Sequence, residues 1–446
     1  QAGGRAASDA GEWTLKLPAA SEGPGLARRE LRWPGDGSAP PSDAVSLVRA
    51  FRRRAALGPV GRLVTHRRPT VVCGRGGRPL LEVVDDTVSV MEGGRLAARF
   101  REIEVEVVGA APAPLLEAVV ARLVEAGAAE GGGATKLARA LGPAAVAPPD
   151  VEVAEVGPGS PMPQVVVAAL ARSYLRLIHH DLALRLGEDP EDVHQARVAT
   201  RRLRSDLRTF RPVVDRSWYT GIQAELGWLA DLLGRVRDVD VLAARLESHL
   251  SSLADADAGV GSALLQRLRR ERHPARAQLL GALDSERYGA LMDRLVAATR
   301  RLPSAPGAAK AKGEQAATDL VAKPWKRLLQ AVERLGPHPS DEALHQVRIR
   351  TKRLRYACSA VAGVVGAPAN SMAKAAADLQ DILGDLHDAA VAAEWLRLAA
   401  TELDVPEALI AGQLIAMQRV DADAARSKWP DAWGRLSRQE LRASLR

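Results

Sequence analysis

Hydrophobic and polar positions alternate along the first third of the chain and recur at helical spacing along the rest. The runs "EWTLKLP", "LARRELRWP", "RLVTHRRPTVVCG", "RPLLEVVDDTVSVMEGG" and "RLAARFREIEVEVVG" are short, alternating and bounded by Gly, Pro or Asp, which predicts five β-strands. Two stretches, 43–56 and 113–126, carry helical periodicity instead, and the second stops at Gly127. The Pro- and Gly-rich "GPAAVAPPDVEVAEVGPGSPMP" then predicts an interdomain linker. After Gln164 strand signals end and helical periodicity runs to the C-terminus, broken by a loop at "LPSAPGAAKAKGEQ".

The helical region repeats itself. His194 matches His345 at an offset of 151, while Gly234 and Asp238 match Gly384 and Asp388 at an offset of 150. "LGRVRDVDVLAARL" thereby pairs with "LGDLHDAAVAAEWL". A constant offset at separate places predicts two copies of one helical unit, packed as two four-helix bundles about a pseudo-two-fold axis.

"VHQARVATRRLRSDLRTF" and "LHQVRIRTKRLRYACSAV" hold corresponding places in the two copies. At about 100° per residue, Arg197, Arg201, Arg204 and Arg208 fall within about 80° of His194. Ala196, Ala199, Leu203, Leu207 and Phe210 take the opposite side. In the second copy His345, Arg348, Lys352 and Arg355 form the stripe, with Leu354 and Cys358 opposing; Arg202 and Arg353 stand off it. Solvated faces mix signs to gain pairs four residues apart, and these stripes carry no acid. Like charges at that spacing cost a few tenths of a kcal/mol each, so an all-basic stripe accepted twice predicts an anionic partner. Arginine suits phosphate because its planar fork donates two parallel hydrogen bonds and stays charged. The histidines titrate near neutrality and add pH dependence.

Composition narrows the partner. A net charge of +8 and a pI near 9.8 favour a polyanion. Aromatic residues at 3% weigh against stacking on single-stranded bases, and the stripes lack the Asn and Gln groups that read base edges. Nucleic acid is therefore the disfavoured polyanion. Two distant cysteines, Cys73 and Cys358, exclude a disulfide framework or a cysteine metal cluster and suit a cytoplasmic address. No apolar run reaches the roughly 20 residues of a membrane span.

The basic helices, "LGRVRDVDV" and "LGDLHD" resemble the CHAD domain, an α-helical family, over about residues 164–446. The resemblance implies two helical bundles around a basic cavity that binds inorganic polyphosphate, in the cytoplasm and at polyphosphate granules. Carried over position by position, it implies contacts from His194, Arg197, Arg201, Arg202, Arg204 and Arg208, and from His345, Arg348, Lys352, Arg353 and Arg355. His387 stands where the first copy has Arg237, so unequal binding by the two halves is expected.

In "FREIEVEV" the period of two places Glu102, Glu104 and Glu106 on one strand face. That pattern fits a solvated face, or, inside a closed barrel, hard oxygen ligands for Mg²⁺ or Mn²⁺. Lys16, Arg28, Arg32, Arg67, Lys136 and Arg139 supply cations for a triphosphate. "WTLKLP", "FREIEVEV" and "KLARAL" resemble middle and late strands of the CYTH, or triphosphate tunnel metalloenzyme, family. Its opening Glu-x-Glu-x-Lys strand has no counterpart, since "EWTLK" carries Thr14 at the second Glu and the chain begins at Gln1. A barrel without its first strands has open edges and incomplete metal ligation.

The chain thus reads as a multidomain α+β protein. An incomplete antiparallel β-barrel-like tunnel domain spans 1–142, a linker 143–163 and an all-α domain of two pseudo-symmetric four-helix bundles 164–446, with halves at about 164–302 and 315–446. Polyphosphate binding, needing no cofactor, is the expected function. A Mg²⁺- or Mn²⁺-dependent triphosphatase and a nucleic-acid binder are the alternatives.

Overall fold

The structure is a computed structural model that describes residues 11–18, 28–35, 39–129, 131, 134–187, 189–308 and 313–438. In chain order the elements are β1 (Glu12–Pro18), β2 (Arg28–Pro34), α1 (Ser42–Leu47), α2 (Arg49–Arg52), β3 (Arg62–Cys73), β4 (Pro79–Glu92) and β5 (Arg95–Val107). Two further helices, α3 (Ala113–Glu125) and α4 (Lys136–Leu141), close the strand-rich part. The remainder is helical: α5 (Met162–Leu186), α6 (Pro190–Thr209), α7 (Arg216–Leu250), α8 (Asp255–Asp284), α9 (Glu286–Arg300), α10 (Gly313–Glu333), α11 (Asp341–Val365), α12 (Ala367–Ala400) and α13 (Val405–Leu436). The five strands and the helix at 113–125 lie where the alternation predicts them.

One compact unit comprises residues 1–41 and 56–149. Its described strands form an antiparallel ribbon, β1–β2, and a separate antiparallel sheet ordered β3–β4–β5. They do not close into a barrel. β4, paired on both edges, turns Val84, Asp86, Val88 and Val90 to one buried face, as a period of two requires. "KLARAL" is helical rather than a strand, because Thr135 caps α4 by accepting from the Ala138 amide at 3.0 Å.

The other unit comprises 42–55 and 150–446. Residues 42–55, which the periodicity alone leaves among the strands, are held there by ion pairs. Arg49 meets Glu286 at 2.5 Å, and Arg53 binds Asp293 at 3.1 Å and Asp150 at 2.6 Å. The stretch read as linker joins this unit from Asp150 onward, with Val151 and Met162 in its core.

Helix starts repeat at an offset of 150 or 151: α5 with α10, α6 with α11, α7 with α12, α8 with α13. Neighbours in sequence pack together within each set, and α6 also packs on α11. The two halves do not keep separate cores. One cluster joins Leu203, Leu207 and Phe210 to Leu354, Ala357 and Cys358. A second joins Leu246 and Leu268 to Leu396 and Leu414. Each fully buried Leu or Phe contributes about 1.5–3 kcal/mol, so the seam between the copies is a principal stabilising contact.

Candidate functional site: a cationic groove between two matched helices

α6 and α11 are built alike. Gly187, at φ +74°, ends α5, and Asp189 caps α6 by accepting from the Glu191 amide at 2.7 Å. Ser340 caps α11 through the Ala343 amide at 3.3 Å. Two acids open each helix, Glu191 and Asp192 in one, Asp341 and Glu342 in the other, which suits the positive end of the helix dipole. Inside each, a buried threonine returns its hydroxyl to its own helix: Thr200 to the Ala196 carbonyl and Thr351 to the Val347 carbonyl, both at 2.9 Å. The apolar residues expected on the inner face, from Ala196 to Phe210 and at Leu354 and Cys358, are buried. Burial pushes the Cys358 thiol up to about 12, so it packs as a small hydrophobe.

The cations then face one another across the seam. Lys352 is pushed down to about 8 by burial first, and then by the positive charge of Arg348, Arg201 and Arg197, with Asp388 opposing. Burial and its neighbours Arg197 and Arg355 hold Arg201 below the usual guanidinium range, and Arg348 is lowered by burial and by Arg201 and Arg197. Side chains from both helices therefore share one field. The buried Nε atoms of Arg201, Arg204, Arg237 and Arg348 have no hydrogen-bond partner in the protein. A buried donor left unpaired costs about 1–3 kcal/mol, so this surface is primed for acceptors.

The repeated Gly and Asp of the "LGRVRD" and "LGDLHD" segments serve this surface. Arg197 reaches Asp238 at 3.0 Å and Arg348 reaches Asp388 at 3.8 Å. A Cβ added at Gly234 would meet the Arg197 guanidinium at 3.8 Å, and one at Gly384 would meet that of Arg348 at 3.9 Å. His194 is lowered by burial and then by Arg237, which keeps it neutral near pH 7. In the second copy His345 and His387 sit ring to ring, 4.4 Å between centroids, and burial followed by Arg348 lowers His387. Arg237 and His387 thus stand beside the predicted histidines. The pairing of the two repeat segments was the signal for them.

Three predicted residues fall elsewhere. Arg202 binds the buried Asp206, four residues on, at 3.0 Å. Burial pushes Asp206 up to about 6 against the pull of Arg202. Ala357 occupies the matching place in α11, so Arg353 lacks this partner. Arg208 and Arg353 instead line a cavity with Arg327, Arg350 and Tyr356. The Tyr356 ring faces the guanidiniums of Arg201, Arg202 and Arg355 at 5.6, 5.9 and 5.8 Å. The helix pattern put into one set what the packing divides.

The carboxylates of the strand-rich unit meet cations of their own. The Lys136 ammonium lies 2.7 Å from Asp86, 2.9 Å from Glu102 and 2.9 Å from Glu104. Burial works against its charge, yet the hydrogen bonds from these three acids raise it above the usual lysine range. Arg67 donates to both oxygens of Asp86 at 3.0 and 2.8 Å, and Arg139 reaches Glu102 at 3.3 Å and covers the Phe100 ring at 3.9 Å. Asp86, fully buried and central, gave no sequence signal because it stands between Asp85 and Thr87 in an ordinary valine-rich strand. Glu106 lies opposite Glu82 on β4. Lys16 and Arg32 bind Glu30 at 2.9 and 2.7 Å within the ribbon. Arg28 belongs to β2, and its side chain lies outside the described residues. Among the described residues, no three acidic, histidine or cysteine side chains are arranged to hold a metal ion. No described helix is long and apolar enough to cross a membrane.

An all-helical unit in which two matched basic helices meet over a shared core defines the class. The family profile described as "CHAD domain" matches residues 168–397. A curated relative, "Uncharacterized protein Rv2226" of Mycobacterium tuberculosis, is 33% identical over 414 residues, covering 87% of this chain and 76% of that protein. "Uncharacterized protein MT2285", from another strain, has the same identity and coverage. Among solved structures, "PptA from Streptomyces chartreusis" superposes with a TM-score of 0.51 at 29% identity, over 62% of this chain and 100% of that one. The chain belongs to the CHAD domain family.

Proposed function

We propose that the protein binds inorganic polyphosphate, held along the groove between α6 and α11. The observation that carries this reading is the packing of α6 on α11, which brings two all-basic stripes together so that Arg197 and Arg201 of one act on Arg348 and Lys352 of the other. A surface that accepts such repulsion, with buried arginine Nε donors unpaired, is stabilised by a dense line of anionic oxygens. Between Arg197 and Arg208 the helix rises about 16 Å, enough to follow several phosphates. His194, Arg197, Arg201, Arg204, His345, Arg348, Lys352 and Arg355 form the principal set, joined by Arg237 and His387. Arg202, which pairs with Asp206, and Arg208 and Arg353, which line a neighbouring cavity, stand apart from it. The work of the protein lies in the cytoplasm, at polyphosphate granules.

Nucleic acid fits this groove less well. Gln195 bonds Glu191 and Gln346 bonds Glu342, so neither amide is presented to a base edge. The strand-rich unit, 1–41 with 56–149, we read as a CYTH-like relative of the triphosphate tunnel. Its carboxylates do not fit Mg²⁺ or Mn²⁺, because Glu102, Glu104 and Asp86 already enclose Lys136. Hydrolysis is therefore not assigned to it, and its cations Lys16, Arg32, Arg67 and Arg139 serve the fold through ion pairs.

The test is retention of labelled polyphosphate by the full chain, competed with duplex DNA at equal phosphate concentration. Polyphosphate should stay bound; its displacement by DNA would assign the groove to nucleic acid. Arg201→Glu with Lys352→Glu should weaken retention by about 100-fold or more, since two charge-assisted contacts of roughly 1.5–3 kcal/mol become repulsive. Helix content and melting should hold, because both side chains leave the apolar face untouched.

A further inference from the structure

Beyond the groove, the helical unit contains a cavity of about 660 Å³ where the end of α6 meets α10 and α11. Its volume is in the range of pockets that take small organic ligands rather than single ions. Six cations reach it, Arg208, Arg211, Lys323, Arg327, Arg350 and Arg353, against one acid, Asp319. An apolar part of its wall comes from Pro212 and Val213 in the loop after α6, Leu320 and Pro324 from α10, and Ala308.

Two residues of this wall, Tyr356 and Arg350, also hold a buried polar atom with no hydrogen-bond partner in the protein, the hydroxyl of the first and Nε of the second. Unpaired buried donors are uncommon, and each calls for an acceptor. Burial and the positive charge of Arg208, Arg350 and Arg327 hold Arg353 below the usual guanidinium range. Arg197 and Arg201 are not among the charges that act on Arg353, whereas both act on Lys352, behind burial and Arg348. Tyr356 divides the two places: its ring lies near Arg201 and Arg355, and its side chain also lines the cavity.

We propose that this cavity is a second binding site, for an organic phosphate whose head meets the Arg208, Arg327, Arg350 and Arg353 guanidiniums and whose apolar body rests on Val213, Leu320 and Pro324. A bare phosphate chain would satisfy the cations and leave the apolar wall wet. A neutral apolar molecule would leave the cations and the tyrosine hydroxyl unanswered. A phosphomonoester with an aromatic or aliphatic body answers both, since the head neutralises the guanidiniums and the body displaces water from apolar surface.

The experiment is isothermal titration of the full chain with 1-naphthyl phosphate, alongside inorganic phosphate and 1-naphthol. The ester should bind tighter than either by about tenfold or more. Arg327→Glu, on the exposed face of α10, should weaken it by about tenfold while polyphosphate retention stays unchanged. Tyr356→Phe keeps the ring and removes the hydroxyl, and should weaken the ester by about threefold. Arg201→Glu with Lys352→Glu should leave the ester bound. The proposal is overturned if inorganic phosphate matches the ester. It fails equally if the groove variant rather than Arg327→Glu abolishes binding, or if tripolyphosphate outcompetes the ester in the groove variant.

Discussion

Two lysines in one chain, each half-hidden among charges, are driven in opposite directions. Lys136 sits among Asp86, Glu102 and Glu104, and their hydrogen bonds overcome burial to hold its proton more firmly. Lys352 sits among Arg348, Arg201 and Arg197, and burial and repulsion together loosen its proton. The first is a finished ion-pair network, with donors and acceptors matched inside the protein. The second is an excess of donors whose acceptors must come from outside. Local charge balance, rather than the number of basic residues, separates a structural cluster from a binding surface.

The sharpest way to break this comparison is to remove each charge. Lys136→Met leaves Asp86 buried with one partner fewer and should destabilise the strand-rich unit by about 3 kcal/mol, read by urea unfolding. Lys352→Met removes a largely buried charge that makes no ion pair among the described residues and should leave stability within about 1 kcal/mol of the parent, or raise it. If Lys352→Met cost as much as Lys136→Met, the groove lysine would be structural and the contrast would collapse.

A smaller effect follows from pH. In the free protein Lys352 is lowered to about 8, and a bound polyanion favours its charged form and raises that value. Below pH 8 the proton is present in both states and Lys352 adds no pH dependence to affinity. Above it the free lysine has lost the proton that the complex must regain, so affinity should fall by up to about tenfold per pH unit. Titrations at pH 7, 8 and 9 in two buffers of different ionisation heat should show proton uptake on binding above pH 8. Lys352→Met should abolish that limb; its persistence would assign the proton to another group.

Much of this contrast was written in local pattern. Alternation placed all five strands, and the offset of 150–151 between copies placed matched helices with their apolar faces inward. "KLARAL" reads as a strand through the family resemblance alone; its own apolar residues, Leu137, Ala138, Ala140 and Leu141, keep helical spacing, and Thr135 before it and Gly142 after it are cap signals. The pairing of Arg202 with Asp206 was legible at four residues' spacing. Other features depend on distant partners. Residues 42–55 join the helical unit through Arg49 and Arg53 bound to Glu286 and Asp293, some 240 positions away. The separation of Arg208 and Arg353 from the groove required α10, which no helical wheel of α6 or α11 contains. The engagement of Glu102 and Glu104 by Lys136 likewise required α4 to be laid on the sheet.

The most direct measurement of the central claim, that the two copies supply one shared surface, is a double-mutant cycle on polyphosphate affinity with Arg201→Ala, Lys352→Ala and the pair. If both side chains work on one stretch of polymer, the losses should deviate from additivity by about 0.5 kcal/mol or more. Strict additivity, or undiminished affinity in the pair, would place Arg201 and Lys352 on independent surfaces and contradict the account.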